Sequence, residues 1–116
     1  MASLLFYDKP VALNKVAHKN LKIKPSEGNY SFSKKTNSVV LAGVEFAEAA
    51  KEYPIVFAKV GEDSMVPVAL LGLRNEENLM VDDEGKWDAK YIPAFVRRYP
   101  FVLAKVTKGD DLTVCV

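Results

Sequence analysis

The chain has 116 residues, 49% of them apolar and 27% charged, which is globular composition and enough length to bury a core without covalent staples. A single cysteine, Cys115, excludes an internal disulfide framework and is compatible with a reducing compartment; its valine neighbours offer nothing to stabilise a thiolate, so a buried, inert thiol is expected. The net charge of +1 hides an asymmetry, +5 over residues 1–40 and −4 over residues 41–116, which reads as a basic N-terminal segment lying over an acidic body.

The opening residues carry a short apolar run, Leu4 to Tyr7, without a basic region before it or a cleavage site after it. No secretory signal is read there. No apolar run approaches the roughly 18 residues that cross a bilayer, so no membrane span is expected and the expected location is cytoplasmic, with signal-independent export to the cell surface as the alternative. The lysines of the first segment are spread out and lack interleaved arginines and aromatic residues, so nucleic acid is not an expected partner.

In chain order, Pro10 to Lys24 is too mixed in period for a long helix and reads as irregular, with a short strand near Leu21 to Lys24 closed by Pro25. Ser26 to Asn29 is turn chemistry, and Tyr30 to Phe32 reads as a short extended piece. Val40, Leu41, Val44, Ala47 and Ala50 trace one side of a predicted helix from about Val40 to Glu52, with Glu45, Glu48, Lys51 and Glu52 on its wetter side. Pro54 ends it, because proline disfavours helical backbone at the residue before it.

A meander is predicted next: strands Ile55 to Val60, Met65 to Leu73 and Leu79 to Asp82, with Pro67 placing the second at an edge or bulge. Asp83 to Lys86 closes it, and Pro93 suits the first turn of a second helix, Pro93 to Arg98. Strands Phe101 to Val106 and Asp111 to Val116 follow, joined by the loop Thr107 to Asp110.

Tyr53-Pro54-Ile55-Val56-Phe57-Ala58-Lys59-Val60 returns as Tyr99-Pro100-Phe101-Val102-Leu103-Ala104-Lys105-Val106, six identities in eight at an offset of 46 residues. This predicts a repeated helix-Tyr-Pro-strand-strand unit. The expected fold class is therefore α+β, an antiparallel sheet with two helices, organised as a basic segment over residues 1–38 and a repeated body over residues 39–116. The second unit stops after two strands. The expectation is an N-terminal part of a longer protein, with the last strand's edge open.

His18 is the only histidine, and no nucleophile elbow, glycine-rich phosphate loop or Cys-x-x-Cys occurs. No catalytic residue, metal or cofactor is assigned. The run Asp82-Asp83-Glu84-Gly85 fails as a calcium loop, since counting back from its glycine puts Met80 at the first ligand position; it reads as a solvated turn. Trp87, Tyr91, Arg97, Arg98 and Tyr99 form the one candidate ligand site, where guanidinium groups and aromatic faces could meet a sugar, nucleotide or carboxylate. Adjacent arginines on a helix point about 100° apart, so one at most would face a shared site.

Pro54 to Phe57, Val66-Pro67-Val68-Ala69-Leu70-Leu71-Gly72-Leu73-Arg74, Glu77-Asn78-Leu79 and the long block Trp87 to Phe101, with Pro10 to Asn14 and His18 upstream, resemble the bacterial SapC family. Members run to about double this length, so the resemblance covers the N-terminal half of the family. It implies a surface-layer related protein. The permease description also attached to the family conflicts with the missing apolar spans, and the resemblance carries over no catalytic residue. A non-enzymatic interaction or assembly module is expected, paired with the missing half, another protein or a second copy; the alternative is a small-ligand binding protein or accessory enzyme using the five residues above.

Overall fold

The computed structural model describes residues 5–25, 27–105 and 111–116. The chain forms two compact units, Ser26–Arg97 and the pair of segments Met1–Pro25 and Arg98–Val116. Among the described residues the architecture is α+β, with two antiparallel sheets and two short helices.

The larger unit opens with a 3-10 turn at Ser31–Ser33, where an extended piece was predicted, because the Asn29 side chain and the Tyr30 carbonyl capture the amides of Ser31 and Ser33. Strand β1 is Ser38–Val40. The β-branched Val39 and Val40 therefore extend rather than start the predicted helix. A 3-10 turn at Gly43–Glu45 leads into helix α1, Phe46–Ala49, so helical backbone begins only after Ala42. The Glu45 carboxylate reaches back to the Ala42 amide at 2.8 Å and fixes that start.

The buried face of this segment is Leu41, Glu45, Ala49 and Tyr53, spaced by fours, whereas Val44 is 92% exposed. The hydrophobic pattern had put Glu45 outside and Val44 inside. It misled because the inward position is held by a carboxylate that main-chain amides need. Tyr53 N–H still bonds the Ala49 carbonyl, and Pro54 ends the helical path as expected.

Strand β2, Ile55–Val60, and strand β3, Ser64–Leu70, form a hairpin. The sheet order is β1-β3-β2, so the third strand precedes the helix in sequence and the predicted strand at Leu79 to Asp82 is reduced to a single bridge, Val81 with Trp87. That segment has other bonds to make: Leu79 N–H to the Leu71 carbonyl and Asp88 N–H to the Met80 carbonyl.

Pro67 lies in the central strand, contrary to the edge assignment, and the register explains how. Phe57 and Pro67 are partners, and Leu70 N–H bonds the Pro54 carbonyl, so the ladder's alternation turns the Pro67 nitrogen away from β2. On the other side Leu41 N–H bonds the Pro67 carbonyl at 2.9 Å, and the proline cannot donate in return. The missing donor falls where β1 ends.

Residues 82–88 make a tight turn rather than a metal loop. Asp82 Oδ1 accepts from Glu84 and Lys86 amides, and Gly85 sits at φ +83° with its Cα against Asn29 and Ser31, where a Cβ would collide. Helix α2, Ala94–Arg97, follows Pro93 as predicted, two residues shorter than the expected span.

In the smaller unit, β4, Val102–Ala104, pairs antiparallel with β5, Thr113–Cys115. No strand forms at Leu21 to Lys24; the extended piece is instead Val11 to Leu13, which pairs with the far side of β5 through Val11 and Val116 (2.9 and 3.0 Å) and Leu13 N–H to the Val114 carbonyl. The last strand is thus bonded on both sides, and the open edge expected there is absent. Cys115 is fully buried between these partners. The peptide bond Tyr99-Pro100 is cis. The predicted loop after Val106 lies outside the described residues.

Candidate functional site

Three of the five candidate residues, Trp87, Tyr91 and Arg97, lie together in the larger unit. They are joined there by Glu45, Glu52 and Tyr53, which residue spacing alone does not link to them. Trp87 is buried, and its Nε1–H donates to the Tyr53 hydroxyl at 2.8 Å while its ring meets Tyr30 edge-on at 5.6 Å. The Tyr53 hydroxyl in turn donates to the Tyr91 carbonyl. The Trp87 indole N–H and the Tyr53 hydroxyl are both satisfied inside the fold.

Two carboxylates then brace the same segment. Glu52 accepts from the amides of Lys90 (2.9 Å) and Tyr91 (2.8 Å), one to each oxygen. Glu45 Oε1 accepts from the Tyr91 hydroxyl (2.6 Å) and the Ala94 amide (2.8 Å), and its Oε2 from Ala42. The carboxylate of Glu45 caps the start of α2 as well as its own helical turn, satisfying amides that have no helical partner.

The proton affinities follow from these bonds. For Glu45 burial works against ionisation, but the Ala94, Tyr91 and Ala42 donors and the Arg97 charge outweigh it and hold the carboxyl below its ordinary range. The Lys90 and Tyr91 amides lower Glu52 likewise. Burial pushes the Tyr53 phenol up to about 12, against the pull of the Trp87 donor. Tyr91 is raised by burial and then by the Glu45 carboxylate. Both carboxylates are ionised at neutral pH and engaged by donors, an arrangement that braces backbone rather than shuttling protons.

Arg97 lies over the Tyr91 ring, 5.6 Å from its centroid, and its Nε–H donates to the Ile92 carbonyl at 2.7 Å. Arg98 and Tyr99 belong to the smaller unit. There Tyr99 stacks obliquely on Tyr7 at 5.8 Å, and the Tyr7 hydroxyl donates to the Phe101 carbonyl at 2.7 Å. Burial raises the Tyr7 phenol despite the nearby Arg98 guanidinium.

The hollows beside the larger unit's cluster are open. One of about 500 Å³ is bordered by Tyr30, Glu84, Lys86 and Trp87, and another of about 430 Å³ by Glu48, Lys51, Glu52, Lys90 and Tyr91. Among the described residues no group of three or more His, Cys, Asp or Glu side chains could hold a metal ion. His18 accepts the Asn14 amide at Nδ1, a local turn contact.

The Glu45 brace was legible only in part. Glu45 stands three residues after Ala42, the spacing from which a glutamate reaches back to a helix start, and four from both Leu41 and Ala49. That its second oxygen serves a segment nearly fifty residues away has no local signal.

A different feature lies at the far end of the β2–β3 hairpin. Cross-strand partners share a face, so Phe57, Lys59 and Met65 lie on one side and Val56, Ala58 and Val60 on the other. Phe57 is 59% exposed, Met65 62%, Val60 52% and Val56 40%. The hairpin presents apolar side chains on both faces, and β2 is an edge strand.

These elements define a small α+β protein with a braced core and an apolar edge hairpin. The chain belongs to the SapC family, whose sequence model matches residues 13–116. Comparison with curated proteins and with solved structures gives no match. Among the described residues no helix is long and apolar enough to cross a membrane.

Proposed function

We propose that the chain is a non-enzymatic interaction or assembly module of a surface-layer related bacterial system. The observation that carries this reading is the β2–β3 hairpin, whose exposed Val56, Phe57, Val60 and Met65 adjoin an unpaired strand edge. Clustered apolar side chains beside open main-chain donors and acceptors favour strand addition by a partner. The brace of Glu45, Glu52 and Tyr53 suits a rigid platform, since every group in it is spent on structure. Its site of action is the cytoplasm, with the cell surface reached by signal-independent export as the alternative.

The second reading, a small-ligand site or accessory enzyme at Trp87, Tyr91 and Arg97, draws support from the Arg97–Tyr91 stack and the hollow beside Tyr91. It is the weaker because the Trp87 indole N–H is already bonded inside the fold. A photo-crosslinking residue placed at Phe57 in the chain's own cells tests the first reading, with the exposed Val16 as control. Adducts at Phe57 and none at Val16 are expected. A chain that stays uncrosslinked at Phe57, yet is stabilised by a sugar, amino acid or nucleotide in thermal-shift screening, would reverse the order of the two readings.

A further inference from the structure

The outward groups of β2 are self-complementary, so a second copy of this chain can add to the hairpin edge. Because Val56 is a hydrogen-bonded partner of Val68 in the β2–β3 ladder, the main-chain groups of Val56, Ala58 and Val60 point inward and those of Ile55, Phe57 and Lys59 point outward. The open edge thus offers three N–H and three C=O groups, evenly spaced and centred on Phe57. Lys59 is the only charged side chain in the strand. The other edges are poorer: β1 is three residues long, and on the outer side of β4 the Phe101 carbonyl is already taken by Tyr7.

We infer that two copies pair through antiparallel β2 strands on a two-fold axis passing through Phe57, an inference that rests on the assembly reading above. In this register Phe57 opposes Phe57 of the second copy, and Ile55 opposes Lys59 in both directions. All six outward groups find partners, because the donors and acceptors of each strand meet their symmetry mates. Sliding to the next register in either direction sets Ile55 against Gly61, which sits at φ +70° in the turn, or Lys59 against Tyr53, beyond the strand's start. Both leave outward groups unpaired.

Charge favours the same register. The two Lys59 side chains lie four residues apart along the paired strands, about 13 Å, beyond the screening length of about 8–10 Å in ordinary salt. A register with Lys59 opposite itself would place like charges in direct contact. Across the axis the phenyl rings of Phe57 meet, and the neighbouring Met65 side chains extend the apolar contact on the same face.

The test is association of the 116-residue chain in solution, followed by cysteine mapping. Sedimentation equilibrium should show a reversible monomer–dimer system. Phe57→Pro removes an outward N–H and the phenyl ring but no bond to β3, so it should leave the hairpin intact, judged by Trp87 fluorescence, while weakening dimerisation at least about tenfold. In a Cys115→Ser background, Phe57→Cys should form a covalent dimer under mild oxidation, since directly opposed residues have Cα atoms about 5.5 Å apart. Ile55→Cys and Lys59→Cys should crosslink when mixed and not alone.

Self-crosslinking of Lys59→Cys faster than Phe57→Cys would overturn the register, and a dimer indifferent to both Phe57 changes would overturn the edge. A chain monomeric at every concentration that still gives adducts with another protein at Phe57 would end this inference while leaving the assembly reading intact. A monomer without adducts ends both. The cysteine map decides the matter even if the proline variant fails to fold.

Discussion

The two Tyr-Pro segments carry almost the same residues and bury opposite ones. After α1, Tyr53 is 3% exposed while Val56 is 40% exposed; after α2, Tyr99 is 40% exposed while Val102 is 3% exposed. Tyr53 has its hydroxyl engaged on both sides, donating to Tyr91 and accepting from Trp87, whereas Tyr99 rests against Tyr7. Local sequence determines that the chain leaves a helix and enters a strand in both places. Which side chain becomes core is decided by what packs against it, and in the first segment the result is an exposed strand.

Truncating the two tyrosines has the largest expected effect. Tyr53→Ala should cost about 3–5 kcal/mol, by the cavity it leaves and the stranded Trp87 N–H, whereas Tyr99→Ala should cost well under half as much; urea unfolding followed by Trp87 fluorescence measures both. The valines should reverse the order. Val102→Ala is expected to cost about 1.5–3 kcal/mol as a buried side chain, and Val56→Ala about 0.5 kcal/mol or less.

A gentler change sharpens the point. Tyr53→Phe keeps the ring and removes the hydroxyl, leaving the Trp87 N–H and the Tyr91 carbonyl without it, for about 1–3 kcal/mol. The same phenol predicts an alkaline transition. Its pKa is raised from 10.0 to about 12 in the folded chain, so the folded state holds the proton more tightly. The associated stability is full below pH 10 and is lost as pH rises toward 12. Stability at high pH should therefore fall less steeply in Tyr53→Phe than in the parent.

Glu45 and Glu52 give the opposite slope at the acid end. Their pKa values are lowered from 4.5, so their contribution is present above that pH and disappears as pH falls through the lowered folded values. Glu45→Gln should flatten acid unfolding and should also loosen α2, read as faster amide exchange at Ala94, whose N–H the carboxylate holds. Loss of acid sensitivity without any change at Ala94 would separate charge from capping.

Much of the strand content was legible because it depends on near neighbours. The hairpin of β2 and β3 follows from two β-rich runs around a Gly61-containing turn, and α2 from Pro93. What was illegible depended on distant partners. Val39 and Val40 extend because β3 offers an edge; Glu45 turns inward because residues 91 and 94 need an acceptor. Pro67 tolerates a central strand because β1 stops beside it. The candidate ligand cluster was half legible for the same reason: Trp87, Tyr91 and Arg97 share a unit, but the groups that bind the Trp87 and Tyr91 side chains come from Tyr53 and Glu45.

In the inferred dimer, association covers the open edge of β2. Hydrogen exchange resolved by residue across a concentration series tests it directly, because the strand contains its own control. Val56, Ala58 and Val60, bonded to β3, should be protected at every concentration. Ile55, Phe57 and Lys59 should exchange fast when dilute and become protected as the chain associates. Unchanged fast exchange at those three amides in the associated state would contradict the claim.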